Sequence, residues 1–419
     1  MIKKYLPKSE FAKNVLTLMT GTTIGQAIPV LVSPIVTRLY SPEEYGVFAI
    51  FLSITAILSV ISTGRYEFAI VVTEEEETAL NLTALSIIIS FFLSVFSFAL
   101  ILAFDSEFSN LLGQPSIAIY LYFVPLALFL NGVYQTFAQL LNRKKEYSII
   151  SAGKIAQPTL TAATQISFGF LKFGNGLIFG NIIGIIISSA LLFSKAWKLF
   201  KTKLFQFSVE KLKSTASQYK DLPRFSVVGS LLNSLSFNLV NLFLSFLFNP
   251  VFVGFYALIF RVLSSPAIVI GTAVGQVYLE QASSEMRKTG NSFGTFKYTS
   301  KRLLFAGVPI FTLIYFFIED IFGFVFGEQW KPAGSYAQIL LPLFFVRFIS
   351  TTLSGTLNVY EKWRPSLLIH SSLLAATLLT FFISNQFHFS FEQFLYLNTY
   401  LLSVLYIAFY FYYYKLSKK

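Results

Sequence analysis

Lys154, Arg224, Arg261 and Arg347 lie inside otherwise apolar segments of the chain, and almost no carboxylate lies at the same depth to pair with them. An ionisable group within a membrane span is costly and by default marks a pathway or a ligand counter-ion. Cations on several spans therefore predict an internal cavity for an anion. Arg matches phosphate especially well, because two parallel donors meet two oxygens. Polar stripes run along the same spans: Asn131, Gln135, Gln139 and Asn142 on the fourth, Lys154, Gln157, Thr161 and Gln165 on the fifth, Arg347, Thr351, Ser354 and Asn358 on the tenth. Steps of three and four put each set on one helical face. Ser, Thr, Asn and Gln also hydrogen-bond between packed membrane helices, so hydroxyl residues alone are as well explained by packing. A stripe that includes Lys or Arg favours a water-filled cavity, whose polar lining would suit sugar hydroxyls.

Depth separates the cations. Arg261 and Arg347 lie near the middle of their spans, and Lys154 lies nearer the inner side. Arg224 and Arg65 are close enough to the inner interface to snorkel into it. Arg38 follows the first span on the outer side. The candidate cationic site is thus Arg261, Arg347, Lys154, Arg224, Arg65 and Arg38, with Gln26, Asn238, Asn241, Gln139, Gln157 and Asn358 as polar lining. Glu67, two residues after Arg65, is placed to pair with a cavity cation and is the candidate for coupling to H+ or Na+. The sequence itself does not name a coupling ion, and no other cofactor is expected.

These residues need spans to hold them. Of 419 residues, 55% are hydrophobic and only 12% charged, with a mean hydropathy of +0.66. A soluble domain carries about 25% charged residues. About twelve apolar stretches are long enough to cross a bilayer, each needing roughly 20 residues. The expected fold is an all-α polytopic membrane protein of two six-helix lobes, 1–197 and 223–419, joined by a cytoplasmic linker, 198–222. Lys and Arg fall 25 to 3 between alternate connecting segments. The positive-inside rule then puts both termini in the cytoplasm, which requires an even number of spans. The net charge of +12 does not imply nucleic acid, which needs a basic face on a soluble fold. Cys is absent and His occurs twice, which excludes disulfides, thiolate catalysis and a His-based metal centre. The basic first residues precede a first span rather than a removed signal peptide.

In the linker, Leu199, Phe200, Leu204, Phe205 and Phe207 alternate with lysines, as expected of an amphipathic helix on the anionic inner leaflet; a solvated linker is the alternative. Pro29, Pro34, Pro158, Pro266 and Pro309 are expected to interrupt helices where a cavity opens. The chain also repeats itself. Ser41–Ile50 aligns with Asn249–Leu258, matching Pro42/Pro250, Gly46/Gly254, Phe48/Tyr256 and Ala49/Ala257 at an offset of 208 residues. Each copy opens an even-numbered span. At the same offset Ser226, Ser230, Ser234, Asn238, Asn241 and Ser245 share one helical face, as do Thr22, Gln26, Ser33 and Thr37. Two six-span halves would lie parallel, with a substrate site between them.

The run Gly21-Thr-Thr-Ile-Gly-Gln26, followed by Pro34-Ile-Val-Thr-Arg-Leu-Tyr-Ser-Pro-Glu-Glu-Tyr-Gly-Val-Phe48 and Thr63-Gly-Arg-Tyr-Glu-Phe-Ala-Ile70, resembles bacterial polysaccharide-export flippases. These are the Wzx-type O-antigen flippases of the MOP (multidrug/oligosaccharidyl-lipid/polysaccharide) exporter superfamily. The local likeness covers about the first eighty residues. It implies a flippase moving undecaprenyl-pyrophosphate-linked oligosaccharide to the outer leaflet of the bacterial cytoplasmic (inner) membrane, by alternating access through a cationic cavity. Implied partners are that lipid-linked glycan, membrane lipids, and the pathway's polymerase and chain-length regulator. No individual residue role is carried over from the family beyond charge.

Two other classes compete. A multidrug exporter of the same superfamily takes organic cations and typically needs a membrane carboxylate, whereas the deep charges here are positive and the first span has no acidic residue. A membrane glycan polymerase or ligase works on the outer face, generally with a long outer loop carrying Arg and His, and here the outer loops are short. No acid–base–nucleophile cluster is visible, so the chain is not expected to be an enzyme.

Overall fold

A computed structural model describes residues 10–112, 117–200 and 208–419. Among these residues every regular element is helical. The twelve long helices are α1 (Glu10–Leu39), α2 (Pro42–Ser59), α3 (Glu76–Leu111), α4 (Val124–Arg143), α5 (Tyr147–Phe170), α6 (Gly176–Phe200), α7 (Val227–Leu247), α8 (Pro250–Thr289), α9 (Phe293–Ile321), α10 (Lys331–Thr352), α11 (Trp363–Gln386) and α12 (Phe391–Ser417). Ten of them include a stretch long and apolar enough to cross a membrane. The other two are α5, diluted by Lys154, Gln157 and Gln165, and α8, whose first part, Pro250–Ser264, is apolar. The chain is a multi-pass membrane protein. Large apolar side chains such as Phe92, Phe305, Phe316 and Phe382 lie exposed, as lipid-facing positions require and a soluble surface would not tolerate in bulk.

The chain divides into two compact units, residues 1–40 with 47–234, and residues 41–46 with 235–419. In the first, α1 packs on α5, α5 on α6, and α4 on both α3 and α6. Small residues permit this closeness, as is usual where no water drives helices together. A Cβ on Gly184 would lie 2.8 Å from the Gln157 carbonyl oxygen, and one on Gly25 2.4 Å from that of Lys154. The Gln165 amide donates to the Leu177 carbonyl at 2.8 Å, and Tyr40 Oη to the Gln165 carbonyl at 2.7 Å. A core of Ile70, Leu82, Phe137, Leu141, Ile150 and Leu192 closes the unit.

In the second unit α10 is central, packing on α8, α9 and α12, with α11 on α12. The repeat explains how two of the helices begin. Ser41 and Glu44 form a reciprocal capping box at the start of α2, and Asn249 Oδ1 accepts the Val251 and Phe252 N–H groups at the start of α8. In each copy a cap residue is followed by proline at the first helical position, where a missing N–H costs nothing. Trp330 is fully buried, with its ring edge-on to Tyr45 and Phe255 at 5.3 and 5.9 Å.

Several expectations change in detail. Helices run through Pro29, Pro34, Pro158 and Pro309, and among the described residues Phe104 has non-helical backbone angles inside α3. Of the linker, Leu199 and Phe200 end α6, and Leu204, Phe205 and Phe207 lie outside the described residues. Its described helix, Val209–Gln218, rests against α3, tied by a Lys211–Glu77 ion pair and by Tyr66 Oη donating to the Ala216 carbonyl at 3.2 Å. Ser33 and Thr37 are buried and donate to carbonyls of their own helix, whereas Gln26 on the same helix is exposed.

Candidate functional site

Arg347 sits near the C-terminal end of α10. Its guanidinium lies over the rings of Phe237, Phe260 and Phe344, at 4.9, 5.0 and 6.0 Å from their centroids. Among the described residues no carboxylate lies within 4.0 Å of it. Arg347 also lines a cavity of about 370 Å³. Thr351, Ser354 and Asn358 line that cavity with it. These four residues stay in line because α10 tightens into a 3-10 turn, Leu353–Gly355, before the short helix Thr356–Val359. The 3-10 geometry has 3.0 residues per turn, and Tyr278 Oη pins the junction by sharing a hydrogen with Thr356 Oγ1 at 2.6 Å.

The facing wall is α8. Gly271 and Gly275 leave room there, and Gln276 projects from the same stretch into the lining. A Cβ on Gly275 would stand 3.3 Å from the Thr352 carbonyl oxygen, so the glycines set the approach of the two helices.

The polar groups are arranged unevenly. Thr351 Oγ1 donates to the Arg347 carbonyl at 2.8 Å, and Ser354 Oγ to the Thr351 carbonyl at 2.7 Å. Their hydrogens are used, which leaves oxygen lone pairs to accept. The amides of Gln276 and Asn358 make no hydrogen bond among the described residues. The cavity therefore offers one cation, amide donors and hydroxyl acceptors, a set suited to an anion carrying hydroxyl groups. The rings against Arg347 lower the polarity of its surroundings, which strengthens its attraction for an anion.

The other sequence candidates are dispersed. Arg261 of α8 stacks over the buried Tyr45 ring at 5.4 Å. Lys154 Nζ donates to Thr22 Oγ1 at 2.9 Å, tying α5 to α1. Gln157 is half-buried on α5, and Gln139 of α4 accepts from Asn142 Nδ2 at 3.3 Å. Asn238 and Asn241 are half-buried on α7. Arg38 is exposed in the last turn of α1, and Arg224 is exposed just before α7. Glu67 is buried, 1% exposed, in the connection between α2 and α3. It accepts from Thr63 Oγ1 and lies 3.9 Å from the Arg65 guanidinium. Burial holds its carboxyl above the usual range, with the Thr63 hydrogen bond and Arg65 opposing. Arg65 has a left-handed backbone, φ 64°, and stacks on Phe68.

Gln276, the two glycines of α8 and the aromatic cradle were not among the sequence candidates. The Gly271/Gly275 spacing on the eighth span, with Gln276 beside it, is the signal that marks this wall.

Comparison with known proteins decides the family. Residues 35–335 match the model of a family described as polysaccharide biosynthesis protein. The chain belongs to this family. Its fold is that of the MOP superfamily. An inward-facing multidrug-resistance MATE transporter of that superfamily superposes with a TM-score of 0.67 at 17% identity, over 97% of this chain and 99% of the other. The lipid II flippase MurJ, in an inward closed conformation, gives 0.69 at 13% identity, over 95% and 87%. A MOP transporter from Pyrococcus furiosus, described as having a binding pocket of reversed polarity, gives 0.61 at 16% identity, over 97% and 96%. No curated protein sequence matches.

Proposed function

We propose that the protein is a flippase for a lipid-linked oligosaccharide. It would move an undecaprenyl-pyrophosphate-linked glycan from the inner to the outer leaflet of the bacterial cytoplasmic membrane, for surface polysaccharide such as O-antigen or capsule. The observation that carries this reading is Arg347, desolvated by three rings and unpaired with any described carboxylate, facing a cavity with free amides and hydroxyl oxygens. A pyrophosphate would take the guanidinium through paired, charge-assisted hydrogen bonds, and sugar hydroxyls would take Gln276, Asn358, Thr351 and Ser354. Both termini would face the cytoplasm, as the loop charges indicate. Outward movement of an anion is then helped by an inside-negative potential, by about 2.3 kcal/mol per charge per 100 mV. Organic-cation export fits less well, because a cation would meet Arg347 at close range.

The test is leaflet accumulation in cells depleted of the protein. Lipid-linked repeat units should build up intact and unpolymerised, accessible only in inside-out vesicles. Repeat units that reach the outer leaflet unpolymerised would instead favour a polymerase, and an unchanged lipid-linked pool would remove the flippase reading.

A further inference from the structure

A long apolar groove runs along the second unit between α8 and α9, with a volume of about 800 Å³. Its α9 wall extends from Tyr298 and Arg302 to Ile321, and α8 contributes Val262, Leu263 and the stretch from Ala273 to Gln281. The nineteen steps from Arg302 to Ile321, at 1.5 Å each, give about 28 Å, close to the ~30 Å hydrocarbon thickness of a bilayer. The groove opens sideways, since Val277 and Ile310 in its wall are each about half exposed. Nearly all its lining is aliphatic or aromatic. Among the described lining residues the polar groups, Tyr278, Gln281, Tyr298, Thr299 and Arg302, gather towards one end.

We propose that this groove holds the polyisoprenoid chain of the transported lipid, with Arg302 at its mouth as the first contact of the phosphates before they reach Arg347. The inference rests on the lipid-diphosphate reading given above. Three observations select this occupant. The groove is as long as the whole hydrocarbon layer, whereas a phospholipid acyl chain reaches only through its own leaflet. Its polar mouth is basic: Lys297 and Lys301 are exposed beside Arg302, whose guanidinium stacks 4.2 Å over the Tyr298 ring. That end adjoins the loop that the positive-inside rule puts on the cytoplasmic side, where the lipid is charged with its glycan. Finally, Phe348 lines both this groove and the Arg347 cavity, so the apolar site adjoins the cationic one. A lipid with its head on Arg347 can keep its tail in the groove.

The full chain reconstituted in vesicles tests this with two substrates that carry the same diphosphate glycan. One bears a full-length polyprenyl chain, and the other a two-isoprene chain too short to fill the groove. Ala306→Trp, which fills the groove, should cut transport of the long-chain lipid at least tenfold and leave the short-chain one within twofold. Equal loss on both substrates, or no loss, would overturn the proposal. Independently, benzoylphenylalanine at position 314 should photo-crosslink to polyprenyl diphosphate added to phospholipid vesicles; crosslinks to phospholipid alone would overturn it. If the unmodified protein moves neither substrate, the flippase reading fails, and the crosslink decides the groove by itself.

Discussion

Gly46 and Gly254 pack against each other's helix starts reciprocally. A Cβ on Gly46 would lie 1.8 Å from the Pro250 carbonyl oxygen, and one on Gly254 would lie 2.0 Å from that of Pro42. The two positions are equivalent in the internal repeat, so the repeat meets itself at the one residue type that lets both backbones approach. Gly46→Ala and Gly254→Ala must each displace backbone, and each should destabilise by about 1–3 kcal/mol. The double variant should cost less than the two singles together, because one displacement relieves both clashes. Gly229→Ala is the control. Nothing lies within 4 Å of its Cβ, and alanine suits a helix better, so its thermal midpoint in detergent should be unchanged or higher.

Arg143 holds the connection between α2 and α3 from the end of α4. Its guanidinium donates to the carbonyls of Ile70, Thr73 and Glu74, at 3.1 Å for Ile70 and 2.9 Å for Glu74. The Ile70 and Thr73 carbonyls belong to the short helix Ala69–Val72 and its C-cap, whose last acceptors have no intrahelical partner, and that of Glu74 follows directly. Arg143→Ala should cost about 2 kcal/mol, since hydrogen bonds to charged groups contribute about 1.5–3. Arg143→Lys should recover only part, because an ammonium cannot reach three carbonyls as a fork does. Limited proteolysis within 60–75 is the readout.

Glu67 gives a pH dependence of definite sign. Burial raises its carboxyl pKa in the folded protein above the unfolded value. Its contribution to stability is therefore fully present below the unfolded pKa and is lost as pH rises through the folded one. Thermal midpoints should fall on going from mildly acidic to neutral pH, and Glu67→Gln should reduce that fall. An unchanged pH profile in Glu67→Gln would mean that other groups cause it.

Lys154 and Thr22 join α5 to α1 by a hydrogen bond. Thr22→Val should leave the ammonium without this partner and lower stability by about 1–3 kcal/mol, read as a lower thermal midpoint. Lys154→Met, which removes the charge along with the bond, should cost less than Thr22→Val.

The α10 half of the site was legible because Arg347, Thr351, Ser354 and Asn358 keep helical spacing, and a charge amid apolar residues stands out. The α8 half was not. Gly271 and Gly275 act by lacking side chains, which has meaning only once a second helix approaches. Phe237, Phe260 and Phe344 were hidden among 49 phenylalanines, most of which a membrane protein can use simply to face lipid. Arg143 read as one more basic residue in a loop, since its carbonyl partners lie about 70 residues away in sequence. The helix starts were legible in the repeat, because a capping residue followed by proline has a local cause.

The most direct test of the account is the flipping rate of lipid-linked oligosaccharide by purified protein in vesicles, compared between the unmodified chain and Arg347→Gln at equal protein density. Loss of a charge-assisted pair should slow flipping by about tenfold or more. Arg347→Lys should recover part of the rate, because it keeps the charge but loses the planar stack on the rings. A glutamine variant that flips at the unmodified rate would contradict an anion site at Arg347.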